Sequence, residues 1–234
     1  MKKIFLFLLI IQLSSCAELQ QVVDSMPNPT ISNAQISGGL KEALQKGITN
    51  QVSLLSVKDG FYKNQFAKIL MPKELQKVES TLRTLGLGSL ADEGVKMLNR
   101  AAEDAVAEAT PIFVDAIKNL TVNDAKNILL GNNNAATTYL QNNTNKTLYA
   151  KFEPIINNSF KKVGADKIWT NLITKYNALP LTTDVNPNLT NYVTNEALTS
   201  VFKMVSKEEL NIRTKVSSRT TDLLRKVFAL QDRK

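Results

Sequence analysis

Apolar residues spaced three and four apart, with polar residues between them, run through almost the whole chain and leave it one fold class. Leu40, Ala43, Leu44, Ile48, Val52 and Leu55 set the pattern, and Leu223, Leu224, Val227 and Phe228 end it. That spacing lays a stripe along one face of an α-helix, whereas a half-buried strand would alternate. The sequence has no hairpin series, internal repeat or heptad run. We therefore expect an all-α protein, a single compact domain of about eight helices.

Breaker residues divide the pattern into elements. Asp59-Gly60 closes the first helix, and Phe61 to Met71 reads as an irregular crossing. Pro72 suits a first helical position and opens a stripe of Leu75, Val78, Leu82 and Leu85 that stops at Gly86. From Ser89 an alanine-rich segment reaches about Leu120, in which Ala101, Ala102, Ala105 and Ala109 admit a close neighbour and Pro111 kinks or restarts the helix. Thr121 and Asp124 make a capping box before a short helix that ends ahead of Gly131. Asn134 stands where it can cap a helix holding Ala135, Tyr139, Leu148 and Phe152, with a bend near Pro154 and a break at Gly164. Ile168, Trp169, Leu172, Ile173 and Tyr176 mark another helix, and Leu179 to Asn188, with Pro180 and Pro187, is a loop. The last two helices cover about Leu189–Thr214 and Ser218–Leu230.

The first 15 residues follow a different logic. Lys2 and Lys3 precede an apolar run of about eight residues, Ile4 to Ile11. Spanning a bilayer takes roughly 20. A charged start, a short apolar core and small residues before a cut site make a secretory signal. Leu13-Ser14-Ser15-Cys16 resembles the lipobox of bacterial lipoproteins. The resemblance implies a diacylglyceryl group on the Cys16 thiol, cleavage before that residue and acylation of its amine. Cys16 is also the only cysteine, so it has no disulfide partner, and lipidation gives it a role. An ordinary signal peptide with an incidental cysteine is the plain alternative. Acyl chains contribute about 0.8 kcal/mol per buried CH₂, so two or three make a lasting membrane anchor. Ala17 stands where an Asp would resemble an inner-membrane retention signal, which favours the outer membrane. Ala17-Glu18 matches poorly the acidic runs associated with surface display, which favours the periplasmic face. Residues 16–36, rich in Gln, Ser and Asn with Pro27 and Pro29, read as the lipidated Cys and a flexible tether, leaving 37–234 for the helical domain. At about 3.3 Å per residue such a tether reaches roughly 65 Å.

Charge and residue types then narrow the function. The net charge is +8, falling to +6 without Lys2 and Lys3, and Lys203 to Lys234 carries nine Lys/Arg against four Asp/Glu. For an exported chain, anionic headgroups or an acidic envelope protein are better partners than nucleic acid. A solvated basic helix face would look the same. There is no histidine, which removes the commonest general base, the usual zinc ligand and any Ser-His-Asp triad. With Cys16 acylated, a thiol nucleophile is lost too. No Gly-rich phosphate loop, calcium loop or metal-ligand spacing occurs, so neither cofactor nor metal is expected.

Asn99, Arg100 and Glu103 share one helical face. Completed by Arg213, Arg219 and Asp222 they could line a cleft, where an Arg beside a carboxylate could hold an anionic headgroup or a partner's acidic side chain. Alternatively they form an internal network docking the first and last helices, since charges flanked by alanines can be buried only when paired. Arg219-Thr220-Thr221-Asp222 sits at a helix start, where hydroxyls and Asp satisfy free N–H groups. The same N–H groups could bind an anion. Tyr139, Phe152, Phe160, Trp169 and Tyr176 read as core or as the lining of an apolar pocket. Glu208 and Glu209 are neighbours on a helix and point apart, which argues against a catalytic dyad.

Asn99-Arg100-Ala101-Ala102-Glu103 and Arg219-Thr220-Thr221-Asp222-Leu223-Leu224 are also recognisable as motifs. Asp59-Gly60-Phe61, the run Asp124 to Gly131, the run Ala135 to Tyr139, and Tyr192-Val193 accompany them in order. Over about residues 38–230 the chain resembles a bacterial family known as domain of unknown function 4197. The resemblance implies a helical envelope protein, often with a signal sequence, and no established activity. Ile69-Leu70-Met71-Pro72 stands where the family commonly has an Ile-Pro-Leu-Pro-like run, so one proline is missing here.

The expected function is a membrane-anchored, non-enzymatic interaction module of the cell envelope. A carrier of a lipid or other apolar or anionic ligand between helices is the alternative. An enzyme using Glu103 or Asp222 with a Ser, Thr or Lys partner comes third.

Overall fold

In a computed structural model of the protein, the described residues are 31–165, 167, 170, 174, 177 and 188–232. The signal segment, Cys16, the tether as far as residue 30, and Ile168, Trp169, Leu172, Ile173 and Tyr176 lie outside them, as does the 179–187 loop with Pro180 and Pro187. Among the described residues there are α-helices and two short 3₁₀ turns and no strand. The fold is all-α, as the spacing requires.

The first helix, α1 (Asn33–Ser56), buries Ile36, Leu40, Leu44, Ile48, Val52 and Leu55 along one stripe. It begins at Asn33, inside the stretch that reads as tether. Gly39 serves helix packing, because a Cβ there would lie 2.7 Å from Val227 Cγ2. After α1 come α2 (Gln76–Thr84), α3 (Gly88–Val106), α4 (Ala109–Lys118), α5 (Val122–Leu129), α6 (Ala135–Val163), α7 (Leu189–Thr214) and α8 (Asp222–Asp232). Helix α1 packs on α3, α4, α5, α7 and α8, while α6 lies along α3, α4 and α7. Phe61, Phe113, Phe152 and Phe160 are fully buried, and Phe113 meets Phe202 edge-on at 5.9 Å between ring centres. Each such side chain contributes about 1.5–3 kcal/mol by leaving water. Phe152 and Phe160 are thus core, and Tyr139 is half-buried at the surface of α6.

Local signals set several boundaries. Thr121 and Asp124 form the capping box, with the Asp124 N–H donating to Thr121 Oγ1 at 3.1 Å and the Thr121 N–H donating to Asp124 Oδ2 at 2.9 Å. Gly86 and Gly164 take left-handed backbone, φ +79° and +67°, where a side chain would be strained. Pro111 is the third residue of α4, so its missing N–H is one that the first turn leaves unbonded anyway, and the break falls before it, at residues 107–108. Pro72 precedes the 3₁₀ turn Lys73–Leu75 as its cap, one place earlier than expected. Helix α6 continues through Pro154 to Val163. The last helix starts at Asp222, behind the 3₁₀ turn Val216–Ser218, where Ser218 was expected to start it. Among the described residues, no helix is long and apolar enough to cross a membrane.

Candidate functional site

The predicted polar residues separate into two sets that anchor different parts of the fold. Asn99, Arg100 and Glu103 lie on α3, with Asn99 fully buried and Glu103 4% exposed. Opposite them runs the non-helical segment 57–72, whose backbone groups have no helix to satisfy them. Glu103 does so at one end. Its carboxylate accepts the N–H of Asp59 at 3.2 Å, Phe61 at 3.1 Å and Tyr62 at 3.3 Å, and pairs with Arg100. Asn99 does so at the other, accepting the Ile69 N–H at 2.8 Å and donating to the carbonyls of Ile69 and Val95 at 2.7 Å. From α7, the Ser200 hydroxyl donates to the Ala67 carbonyl at 3.0 Å and the Tyr192 hydroxyl to the Leu70 carbonyl at 2.9 Å.

Asp59-Gly60 makes the turn into this segment possible. Asp59 adopts φ +69°, a left-handed backbone that short polar residues tolerate best after glycine. Gly60 sits so close to the end of α1 that a Cβ would lie 2.5 Å from the carbonyl oxygens of Leu54 and Leu55. A hydrogen bond from Lys63 holds the Asp59 carboxyl below the usual carboxylate range; partial burial opposes this and the Arg100 charge adds to it. Burial lowers the Arg100 pKa, but Glu103 and Asp59 outweigh it and leave the guanidinium above its ordinary value.

The second set joins four helix ends. Glu209, on α7, is buried, and its carboxylate accepts the N–H groups of Ala136 at 2.9 Å and Thr137 at 2.8 Å, with the Thr137 hydroxyl at 2.7 Å. These are first-turn donors of α6, whose expected cap, Asn134, makes no side-chain capping bond. Arg213, one turn on, donates twice to Glu209, once each to the carbonyls of Ile128 and Leu129 at the end of α5, and once to Gln231. All five guanidinium N–H groups are used. An anion at a helix start and a cation at a helix end both suit the helix dipole. Arg219 donates to the carbonyls of Ile212 at 3.0 Å and Arg213 at 2.8 Å and clamps Asp232 near the end of α8. The Thr221 hydroxyl accepts the Leu224 N–H at 3.2 Å and caps α8. Thr220 and Asp222 are exposed; Lys46 donates to Thr220, and Asp222 pairs with Arg225. Among the described residues, no hydrogen bond or ion pair joins the α3 set to Arg213, Arg219 or Asp222.

Sequence reasoning missed Glu209 and found its neighbourhood. The Glu209/Arg213 spacing of four is visible as an intrahelical ion pair. Its burial and its capping of α6 come from contacts 72 and 73 residues away. Glu208 takes a different direction and accepts from Gln51 at 3.3 Å.

Open grooves flank these networks. One of about 450 Å³ lies between α4 and α6 beside Pro111, Asp115, Asn119, Tyr139 and Lys151. Another, of about 350 Å³, follows α5 and α6 and shares Tyr139. A third, of about 410 Å³, lies between α3 and the end of α6, and Arg100 is its one residue from the polar sets. Among the described residues, no group of three or more His, Cys, Asp or Glu side chains could hold a metal ion.

A buried acid–amide pair pinning a non-helical segment, with a buried Glu–Arg pair stapling helix ends, defines a helical domain whose charged motifs serve its architecture. The chain belongs to the family described as protein of unknown function, DUF4197, whose model matches residues 30–229. Searches of curated proteins and of solved structures found no match.

Proposed function

We propose that this protein is a lipoprotein of the bacterial cell envelope, anchored by acyl chains on Cys16, whose helical domain works by binding and not by catalysis. The lipobox, the single cysteine and Ala17 support anchoring in the outer membrane facing the periplasm. The observation that carries the binding reading is how fully the polar residues are employed inside the fold. Glu103 accepts from three backbone N–H groups and Arg100, and Asp222 is paired with Arg225, so both carboxylates have partners within the fold. With no histidine in the chain, little remains for proton transfer.

A ligand carrier is the second reading. The groove between α4 and α6 supports it, because Tyr139 is half-buried there and its hydroxyl has no hydrogen-bond partner among the described residues. Native mass spectrometry of the lipoprotein, extracted in mild detergent from its own envelope, separates the two. A stoichiometric protein complex, with two or three acyl chains on Cys16, is the expected result. A discrete small-molecule adduct that survives removal of Cys16 and its lipid, with no other partner, would transfer the assignment to the carrier. An unmodified Cys16 would refute the anchor.

A further inference from the structure

The segment pinned by Asn99 and Glu103, together with the end of α1 before it, carries several exposed apolar side chains. Leu54 (57% exposed), Val57 (56%), Leu70 (54%) and Phe66 (38%) all present apolar surface to water. Between them Lys58, Lys63 and Lys68 are exposed, and Lys203 and Lys207 rise beside them from α7. Lys207 lies over the Phe66 ring at 3.7 Å from its centre and Lys203 at 5.9 Å, while Lys68 covers Tyr62 at 4.5 Å. Asp59 takes up Arg100 and Lys63, whereas Lys58, Lys68, Lys203 and Lys207 are exposed and make no salt bridge among the described residues, and three of these four lie against aromatic rings.

We infer that this face, residues 54–70 with Lys203 and Lys207, docks on a bilayer surface carrying anionic lipid headgroups. The inference rests on the binding reading above and names its partner. Phe66 and the aliphatic side chains enter the boundary between headgroups and acyl chains, and the lysine stems follow them while their charges stay among the phosphates. The charge of the face selects anionic headgroups, and the exposed Phe66 beside Lys207 and Lys203 supplies the apolar contact that a bilayer takes up. Anchoring through Cys16 keeps membrane within reach, so even a weak docking face is filled much of the time.

The test uses the whole mature chain, from residue 16, with Cys16→Ser to remove the lipid and nothing else. Co-sedimentation is measured with vesicles of phosphatidylglycerol and phosphatidylethanolamine, and with vesicles of phosphatidylcholine alone. Binding is expected only to the first, weakening as salt screens the headgroups. Lys203→Gln with Lys207→Gln should reduce it roughly thirtyfold, the expected effect of removing two lysines from an anionic surface. Phe66→Ser should weaken it as well, whereas Lys161→Gln with Lys162→Gln, exposed on α6, should leave it unchanged. These side chains are all solvent-facing, and a melting curve for each variant checks that the fold is intact. No binding to anionic vesicles, equal binding to phosphatidylcholine, or equal loss in the Lys161/Lys162 pair would overturn the inference. If vesicle binding fails while the native lipoprotein retains a stoichiometric protein partner, the membrane is the wrong occupant and the binding reading stands.

Discussion

Replacing Glu103 with Gln should destabilise the domain without touching its surface. The carboxylate takes three backbone N–H groups and Arg100 with two oxygens, at 4% exposure. A glutamine keeps the shape, but it has one carbonyl oxygen and turns an NH₂ toward donors at the other position. Either Phe61 and Tyr62 or Asp59 and Arg100 then lose their acceptor. Hydrogen bonds to charged groups contribute about 1.5–3 kcal/mol each, against about 1 for neutral ones, and a buried donor left unsatisfied costs about 1–3 kcal/mol. The sum for Glu103→Gln is about 2–4 kcal/mol, and Glu103→Ala, which leaves three backbone N–H groups without an acceptor while Arg100 keeps Asp59, should cost about 3–5 kcal/mol. For a unit of this size, Asn33–Lys234, each kcal/mol moves Tm by about 2–4 °C, so Glu103→Gln should lower it by about 5–15 °C. Circular-dichroism melting of the mature Cys16→Ser chain measures this, and amide exchange at Phe61 and Tyr62 should speed up in parallel. A Tm within about 1 °C of the parent, with unchanged exchange at both amides, would refute the structural account of Glu103 and reopen a functional role for its carboxylate.

Other substitutions probe the remaining joints. Arg213→Ala should cost about 3–5 kcal/mol, because it removes the ion-pair partner of buried Glu209 and leaves the last carbonyls of α5 without their donors; urea unfolding would show this as a lower midpoint. Gly60→Ala should push the 57–72 segment off the end of α1, since its Cβ would meet two carbonyl oxygens at 2.5 Å; a loss of at least about 1–3 kcal/mol is expected, with raised exchange confined at first to that segment. The pH dependence has a definite sign. Asp59, Asp124 and Asp232 sit below their ordinary value of 3.8, held there first by hydrogen bonds from Lys63, Thr121 and Arg219 respectively. Their stabilisation is complete above that value and is lost as pH falls through the depressed folded-state values. Because the chain has no histidine, Tm should stay flat between about pH 5 and 8 and drop below about pH 4. A midpoint transition near pH 6 would contradict this.

What was legible in the sequence was local. The apolar spacing gave the all-helical class, the capping box at Thr121 and Asp124 lies within one turn, and Gly86 and Gly164 mark backbone that only a missing Cβ favours. Leu189–Thr214 follows the Pro187 breaker, and its approximate expected bounds agree with the observed helix. What escaped was distant. Asn134 has the right chemistry to cap α6, yet Glu209 reaches in from another helix and takes the N–H groups. Ser218 is a reasonable helix start, yet Arg219 must first turn back to the end of α7, and the helix waits for Asp222. Asn99, Arg100 and Glu103 were correctly grouped by helical spacing, but their partners on segment 57–72 lie 30 to 44 residues away. Periodicity carries no information about which backbone a buried side chain will meet.

The most direct test of the membrane-docking account is hydrogen–deuterium exchange on the lipidated protein in its native membrane, compared with the mature Cys16→Ser chain free in solution. The account predicts added protection over residues 57–70 and around Lys203 and Lys207, with no change along the groove between α4 and α6. Protection confined to that groove, or an unchanged 57–70 segment, would contradict it.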